Sequence, residues 1–269
     1  MDVRILLVGC GKMGGALLGG WLDQGIPGAN VRAIEPFQDF AAPFKDQGVT
    51  FHNSLDELDG DFEPDFVLFA VKPQMMDDVA PAYARFTGTA TFISIAAGKT
   101  IAYFESKLGN EAAIIRTMPN TPAAVRRGIT IACGNANVGD AAKTTCLELL
   151  AAVGEASWLE DETLLDAVTA VSGSGPAYVF LLAETMTQAG VEAGLSPEMA
   201  TQLAVQTVAG SGELLVQSDD DATKLRENVT SPGGTTHAAL SVLMGDGGLQ
   251  ELMSEAIAKA VARSKDLAG

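Results

Sequence analysis

The sequence predicts an α/β fold in which a domain with a parallel sheet comes first and an all-helical domain follows. Three observations predict it. A short apolar run at residues 3–8 opens directly into a glycine turn at residues 9–14. Further apolar runs alternate with helical stretches up to about residue 158, as in parallel sheets with crossover helices. Beyond Trp158 the strand-like runs give way to long segments with helical periodicity.

The first element, Val3-Arg4-Ile5-Leu6-Leu7-Val8, is read as a strand because it is short and apolar and runs into Gly9-Cys10-Gly11-Lys12-Met13-Gly14. In a strand, glycine turn and helix of this kind, the first glycine permits the tight turn. The second lets a pyrophosphate approach the backbone, and the third lets the helix pack on the strand. The segment therefore predicts a Rossmann-type dinucleotide-binding domain.

The second strand, Val31-Arg32-Ala33-Ile34, ends in Glu35, at the distance from the glycine turn where an acidic side chain binds the ribose hydroxyls. A 2′-phosphate would meet this carboxylate and would find no arginine immediately after it. Glu35 therefore favours NADH over NADPH, with Lys12 or Arg32 as possible compensation for the phosphate charge.

The remaining elements of the first half follow the same alternation. Predicted strands lie at residues 66–71, 91–96, 114–118 and 128–133, and predicted helices around residues 38–47, 75–86 and 100–108. Because ligands lie at the carboxyl ends of parallel strands, the loops at 72–74 and 97–99 should line a cofactor cleft. We expect a dinucleotide-binding domain at residues 1–158.

The second half, residues 159–269, is predicted to be a helical domain for substrate binding and dimerisation. Its helical segments cover residues 161–194, 197–217, 220–228 and 235–265. The break at Ser172-Gly173-Ser174-Gly175-Pro176 should have a packing or binding reason. The long helices carry few charges, which indicates a dimer interface.

Composition narrows the class of protein. The 269 residues carry a formal charge of −17, which argues against nucleic acids and anionic membranes as partners. We expect no membrane segment and, without a leader pattern at the N-terminus, a cytoplasmic protein.

Three cysteines and two histidines form neither a disulfide framework nor a metal-ligand spacing. Cys10 is either a reactive thiol at a helix start or a small residue filling the turn.

The chain around Ser231-Pro232-Gly233-Gly234-Thr235-Thr236 is a hydroxyl-rich turn that leads into an apolar helix. The glycines allow close approach of a ligand, and the first amides of a helix are free donors at a positive dipole end. The pattern indicates a site for a small carboxylate, although a capped helix start has the same composition. His237 follows as a candidate acid or as a surface residue.

Taken together, these residues resemble pyrroline-5-carboxylate reductase, the enzyme family of the last step of proline biosynthesis, essentially from end to end. The segments that carry the resemblance are residues 9–14, 70–73, 118–122, 167–178 and 229–239. The resemblance implies hydride transfer from NADPH or NADH to the C=N bond of 1-pyrroline-5-carboxylate, giving L-proline. It also implies a helical domain that interlocks with a second subunit, often within a larger ring of dimers.

The resemblance assigns individual residues. Its cofactor contacts are Gly9, Cys10, Gly11, Lys12, Met13, Gly14, Glu35, Asn53, Ala70, Val71, Lys72, Pro73, Ala96, Ala97 and Asn228. Its substrate contacts are Glu162, Ser231, Gly233, Gly234, Thr235 and Thr236, with Thr236 as the catalytic residue beside the ring nitrogen. Glu35 departs from the small or hydroxyl residues that NADPH-using members carry.

The chemistry supports this assignment separately, because a protonated imine accepts a hydride without a strong general acid, and a positioned hydroxyl suffices. Arg116, Arg126 and Arg127 are expected to be surface charges, and Lys72 either a cofactor contact or a solvated loop residue. A β-hydroxyacid dehydrogenase is the alternative enzyme, but its helix lysine is missing after Gly175. A nucleotide-sensing protein without catalysis is the alternative of another class.

Overall fold

The computed structural model describes residues 2–268, which form two compact units. The first runs to Gly173 and includes the chain from Val261 onward, and the second spans Ser174–Ala260. The predicted division into a dinucleotide-binding domain at residues 1–158 and a substrate-binding domain at residues 159–269 concerns the roles of the two parts. It remains a prediction, because the two compact units are defined by packing alone.

The first unit is built on one eight-stranded sheet with the strand order β3-β2-β1-β4-β5-β6-β7-β8. Its strands are β1 Ile5–Val8, β2 Val31–Ile34, β3 Thr50–His52, β4 Phe66–Phe69, β5 Thr91–Ser94, β6 Ala113–Met118, β7 Gly128–Gly134 and β8 Gly154–Trp158. The order reverses on either side of β1, which is where Rossmann-type sheets bind dinucleotides. The predicted α/β fold is confirmed.

One pair departs from the expected all-parallel sheet: β6 and β7 are antiparallel. The connection between them, residues 119–127, is too short for the crossover that parallel neighbours require. The edge strand β3 was not predicted, because a segment as short as Thr50–His52 carries little periodicity.

The α-helices between the strands are α1 Lys12–Asp23, α2 Gln38–Ala41, α3 Met76–Val79, α4 Ile101–Leu108 and α5 Asp140–Leu150. The predicted helices at 38–47 and 75–86 are shorter than expected. Each changes after one turn into a 3-10 helix, Ala42–Phe44 and Ala80–Phe86, which carries a proline near its start. Pro43 and Pro81 lack the N–H that would continue the α-helical hydrogen bonds.

Apolar side chains pack on both faces of the sheet. One face buries Leu17 and Trp21 of α1, and the Trp21 indole N–H donates to the Leu149 carbonyl at 2.8 Å. The other face carries a stack of aromatic rings in which Phe69 lies parallel to Phe92 and Phe104. With both faces covered, the glycine turn rests on a fixed β1.

The predicted break near residues 172–176 follows a change of helix type. After a 3-10 turn at Glu162–Leu164 and α6 (Leu165–Val168), the chain forms a π-helix at Thr169–Gly173. A side chain at Gly173 would collide with the Met118 methyl group. The π-turn therefore has a packing reason, since it brings the backbone close to β6.

The second unit is helical, as predicted. It contains α7 Gly175–Glu192, α8 Pro197–Gln217, α9 Ala222–Asn228, α10 Thr235–Leu243 and the beginning of α11 Leu249–Ala268. The predicted continuous helix at 235–265 is wrong, because Met-Gly-Asp-Gly-Gly at 244–248 separates α10 from α11. Gly247 has a φ of +68°, which a helix does not allow.

Apolar side chains of the helical unit are largely exposed. Phe180 is 66% exposed and Val242 is 74% exposed, and among its described residues only Ala200 and Ala204 count as buried apolar side chains. Glu162–Glu192 also meets the length and composition of a membrane-crossing helix, where none was expected. Exposed apolar patches of this kind typically mark a surface that contacts another protein or a membrane.

Candidate active site

The glycine turn after β1 is fixed by close packing. Gly9 has a φ of +93°, and its N–H donates to the Ile34 carbonyl at 2.9 Å. A Cβ on Gly9 would lie 2.8 Å from Val71 Cγ1, and one on Gly14 would collide with the Gly9 carbonyl oxygen. Glycine is therefore required at both ends of the turn for steric reasons.

Gly11 differs from its two neighbours because open space surrounds the position where its Cβ would lie. It is the N-cap of α1, and its carbonyl accepts the first helical hydrogen bond from Gly15. The amides of the first turn thus point away from the helix as free donors at a positive dipole end. The geometry suits a pyrophosphate.

A cavity of about 870 Å³ lies along the carboxyl ends of β1, β2 and β4. Its lining includes residues from the glycine turn, from the chain after β2, from the chain after β3 and from the β4–α3 connection. The predicted cofactor contacts in it are Gly9, Gly11, Lys12, Glu35, Asn53, Ala70, Val71 and Lys72. This volume and position suit a dinucleotide.

Glu35 lies at the end of β2, only 4% exposed, beside the glycine turn. One carboxylate oxygen accepts the Cys10 N–H at 2.7 Å, and the other accepts the Phe37 N–H at 2.9 Å. A carboxylate oxygen accepts more than one hydrogen bond, so ribose hydroxyls could still donate to it. Glu35 thus links the glycine turn to the chain after β2.

Arg32, the arginine nearest to Glu35 in sequence, is held elsewhere. Its Nε donates to Asp59 at 3.2 Å, its guanidinium lies 4.8 Å from the centre of the Phe62 ring, and its Nη1 donates to the Ala29 carbonyl. These contacts hold the guanidinium in place, so it could compensate a 2′-phosphate only by giving them up. Lys12 remains in the cavity lining.

Cys10 fills the turn as a buried side chain, 2% exposed. Burial, with the nearby charge of Glu35, raises the pKa of its thiol to about 12. Of the two expectations for Cys10, the small filler fits this environment and the reactive thiol does not.

Sequence comparisons support one family. Residues 162–267 match the family described as pyrroline-5-carboxylate reductase dimerisation, and residues 4–98 match the one described as NADP oxidoreductase coenzyme F420-dependent. The pyrroline-5-carboxylate reductase of Pseudomonas aeruginosa is 40% identical, over 98% of this chain and 97% of that protein. The enzyme of Escherichia coli is 35% identical, over 99% of both chains.

The chain belongs to the pyrroline-5-carboxylate reductase family.

Solved structures agree with this assignment. A pyrroline-5-carboxylate reductase from Coxiella burnetii has a TM-score of 0.93 at 33% identity, covering 100% of both chains. A pyrroline carboxylate reductase from Plasmodium falciparum with NADP bound has a TM-score of 0.83 at 31% identity, covering 100% of this chain and 99% of that one. As a member of this family, the chain is an NAD(P)H-dependent oxidoreductase for a cyclic imine and carries the family's dimerisation region.

The turn that the sequence singled out lies in the helical unit, just before α10. The Gly234 N–H donates to the Ser231 carbonyl at 3.0 Å, and Gly233 has a φ of +71°. With Pro232 at the second position, this is a type II β-turn, which favours glycine at the third position. Gly234 is the N-cap of α10.

The hydroxyl groups of this turn have no hydrogen-bond partner among the described residues of the chain. This holds for Ser231 and for both threonines, Thr235 and Thr236. Helix caps normally use such hydroxyls, but the N-cap position here is a glycine without a side chain. A turn whose hydroxyls cap nothing is better suited to a ligand than the capped helix start that the sequence left open.

Other members of the predicted site have partners of their own. The Asn53 N–H donates to Glu57 at 2.8 Å, in the loop after β3. Ala96 and Ala97 follow β5 at the same edge of the sheet, and Met13 and Pro73 flank cavity residues in the chain. Asn228 ends α9 in the helical unit and donates to Asp220 at 3.2 Å. Their roles as cofactor contacts remain predictions.

Glu162 forms an ion pair in which the arginine is buried and the carboxylate is partly exposed. Its carboxylate accepts the Arg116 guanidinium at 2.7 Å and the Ile101 N–H at 2.9 Å. Arg116 is 6% exposed, so the expectation of a surface charge is wrong for it: β6 lies inside the sheet and Glu162 neutralises the arginine. Arg126 pairs with Asp23 at the surface. A substrate contact for Glu162 remains a prediction.

Several cavity residues were not singled out from the sequence. Phe37, Phe40, Leu55, Met75 and Tyr83 line the cavity with apolar surface. A signal was available for Phe37, which stands two residues after Glu35, the residue predicted to bind the ribose. Among the described residues, no group of three or more His, Cys, Asp or Glu side chains could hold a metal ion.

Proposed function

We propose that this chain catalyses the reaction of its family, reduction of 1-pyrroline-5-carboxylate to L-proline, with the turn at residues 231–236 as its substrate-binding element. The observation that carries the proposal is this turn: a glycine N-cap with free helix amides beside three hydroxyls that serve no cap. It offers neutral hydrogen-bond donors to a small anion at short range. Such local donors are needed because the net charge of −17 does not attract an anion at long range.

The substrate carboxylate binds, in this proposal, at the amides of residues 234–236, of which Thr235 and Thr236 offer the free N–H groups because the Gly234 N–H already donates to the Ser231 carbonyl. The first amides of a helix are directed donors with the positive end of the dipole behind them. Ser231 adds a hydroxyl donor, and Gly233 leaves room for the carboxylate because no side chain shields the turn. Glu162 is a further proposed contact, by family resemblance.

Thr236 is the proposed catalytic residue, with its hydroxyl bonded to the imine nitrogen. A cyclic imine that is already protonated has an electrophilic carbon, so the protein need only orient the nitrogen. The π electrons of the C=N bond pass to nitrogen as the hydride adds to carbon, and no proton is consumed in that step. The hydroxyl then relays the proton exchange of the product amine. His237 is not needed.

The residues around the cavity fit a nicotinamide dinucleotide, which supplies the hydride when it is bound. In this proposal the amides at the start of α1 hold its pyrophosphate, and Glu35 accepts its ribose hydroxyls. We propose NADH as the preferred cofactor, because the buried Glu35 carboxylate would repel a 2′-phosphate and Arg32 is occupied by Asp59.

The assembly proposed here is a homodimer formed through the helical domain at residues 159–269, with a larger ring of dimers as its extension. The exposed apolar side chains of α7, α8 and α10 support it, because a subunit interface would remove them from water. The same burial accounts for the apolar stretch Glu162–Glu192 without a membrane. We propose that the enzyme is cytoplasmic.

The test is to follow oxidation of NADH and of NADPH by purified protein as 1-pyrroline-5-carboxylate is varied. Saturable oxidation is expected, and it is expected to be faster with NADH.

Thr236→Ala should lower kcat/KM about 100-fold, a cost typical of removing one directed donor, and Thr236→Ser should restore most of it. Thr223→Ala, an exposed threonine on α9, is the matched control.

Equal turnover by the wild type and Thr236→Ala would exclude the role of that hydroxyl. No turnover by the wild type with either nucleotide, although nucleotide binds, would exclude the imine substrate. Stability should not change in Thr236→Ala, because the hydroxyl has no partner in the described chain to lose.

A further inference from the structure

Two exposed aromatic side chains lie in the cavity lining beyond the ribose position. Phe37 is 64% exposed and Phe40 is 43% exposed, and both belong to the same cavity as the glycine turn. Their rings meet edge to face with centroids 6.4 Å apart and planes at 89°. Large apolar rings that remain in water inside a ligand cavity are available to a ligand that stacks on them.

We propose that Phe37, braced by Phe40, is the platform on which the adenine ring of the cofactor stacks. The inference rests on the dinucleotide site described above, and it adds a determinant of affinity that the glycine turn and Glu35 do not supply. A base has a π face whatever its substituents, so an aromatic ring binds it without requiring a charged group.

The position follows from the order of groups in the nucleotide. With the pyrophosphate at the start of α1 and the ribose hydroxyls at Glu35, the adenine is attached to the same ribose and must lie within a few ångströms of that carboxylate. Phe37 is two residues beyond Glu35, and its N–H is bonded to the Glu35 carboxylate at 2.9 Å. The residue that binds the ribose thus also fixes the backbone of the platform.

Phe40 holds the platform in place from the other side. Its own N–H donates to the Phe37 carbonyl at 3.1 Å, so the two residues belong to one turn. The edge of one ring against the face of the other leaves part of the Phe37 ring free for a ligand. A single exposed phenylalanine would move between rotamers, and the neighbouring ring restricts this movement.

The proposed stacking predicts a different effect from the proposed role of Glu35. The adenine ring is identical in NADH and NADPH, so removal of Phe37 should weaken both cofactors by the same factor. Glu35 faces the 2′ position, where the two cofactors differ, so its removal should change their ratio. The two sets of variants therefore separate base stacking from recognition of the ribose.

The experiment measures the Kd of ADP-ribose by titration calorimetry, which requires no imine and no turnover. Phe37→Ala should raise this Kd about tenfold, equal to about 1.4 kcal/mol, whereas Phe37→Trp should retain the wild-type value within about threefold. Phe40→Ala should cause a smaller rise. Val125→Ala, an exposed apolar residue outside the cavity lining, should leave the Kd unchanged.

An unchanged Kd in Phe37→Ala, or an equal loss in Phe37→Trp, would overturn the proposal, because the first excludes a contact and the second excludes stacking. Failure of the proposed function is a separate outcome. A wild-type protein that does not reduce the imine but binds ADP-ribose through Phe37 would still support the platform. A rise in the KM of NADH and of NADPH by one common factor, with kcat unchanged, supports it during turnover.

Discussion

The molecule contains two glycine turns that lead into helices, and their surroundings differ. Gly9 and Gly233 both have positive φ angles, and Gly11 and Gly234 both serve as glycine N-caps. Around the first turn, added Cβ atoms meet Val71 and the backbone, whereas nothing lies within 4 Å of the Cβ position at Gly233. The first turn is shaped by the chain itself, and the second is open to a ligand.

This difference separates two reasons for which glycine is used. At Gly9 and Gly14 of the nucleotide turn, packing excludes a side chain, so a substitution there should first damage the fold. In the turn before α10, space is available, so a substitution should mainly affect the ligand that we propose to bind there. The comparison is tested by giving each turn the same added methyl group.

The largest effect is expected for Gly14→Ala. The new methyl group would collide with the Gly9 carbonyl oxygen and lie 3.1 Å from the Ala70 Cβ, so α1 would have to move away from β1. We expect a loss of about 3 kcal/mol in the free energy of unfolding, together with a loss of NADH binding. Urea unfolding and NADH titration measure the two quantities.

Gly19→Ala is the matched control on the same helix. Its methyl group would lie 3.7 Å from the Phe44 ring, which is an ordinary contact, and alanine favours a helix interior. A gain of about 0.5–1 kcal/mol is expected. Equal stability of Gly14→Ala and the wild type would show that the nucleotide turn is not fixed by packing.

The second effect concerns the carboxylate that supports the first turn. Glu35→Ser should raise the ratio of kcat/KM for NADPH over NADH by about 10- to 100-fold, because repulsion of the 2′-phosphate is removed. The change should also cost about 1–2 kcal/mol of stability, since the Cys10 and Phe37 amides lose their acceptor. Steady-state kinetics with both cofactors measures the ratio.

Glu63→Gln serves as the control for Glu35→Ser, because it removes the same unit of charge at an exposed position. If both variants shifted the cofactor ratio equally, the effect would come from net charge and Glu35 would not discriminate between the cofactors.

The two turns also differ in how far the sequence could predict them. The turn at residues 9–14 could be predicted from its local sequence alone, because the glycine spacing after an apolar strand is typical of this turn. The turn at 231–234 was also identified, from Pro232 and the glycine pair. The sequence could not show that the hydroxyl groups of this turn lack hydrogen-bond partners, because that depends on every neighbour in the folded chain.

The features that the sequence did not reveal depend on contacts between distant segments. Arg116 resembles a surface charge in the sequence and becomes buried because Glu162, far along the chain, neutralises it. The antiparallel strand β7 and the short edge strand β3 depend on pairing, which local periodicity does not encode. The Phe37–Phe40 pair depends on the turn between them, which the sequence alone does not show.

The third effect tests the open turn directly. Gly233→Ala should meet no steric obstacle, so its cost is the backbone strain of a positive φ, about 1–2 kcal/mol. The methyl group should also occupy space beside the proposed carboxylate site and raise the KM for 1-pyrroline-5-carboxylate about tenfold. Gly247→Ala has a similar φ of +68° and equally open surroundings, and so controls for strain alone. A similar rise in KM in both variants would argue against a ligand at Gly233.

A further test, which changes no residue, probes how often the first turn opens. Burial raises the pKa of the Cys10 thiol from 9.0 to about 12, so at pH 8 only about one thiol in ten thousand is ionised in the closed turn. Alkylation of Cys10, followed by mass spectrometry, should therefore be about a thousandfold slower in the native protein than in the unfolded chain. Bound NADH should slow it further if it holds the turn closed.

The same pKa shift is one contribution to the pH dependence of stability, beside those of Cys133, Cys146 and Tyr83, whose pKa values burial also raises. The folded pKa lies above the unfolded one, so the folded state holds the proton more tightly, and its contribution is fully present below about pH 9. It is lost as the pH rises from about 9 toward 12. Alkylation at pH 8 as fast as in the unfolded chain would mean that the turn opens readily. Close packing would then not distinguish the nucleotide turn from the turn before α10.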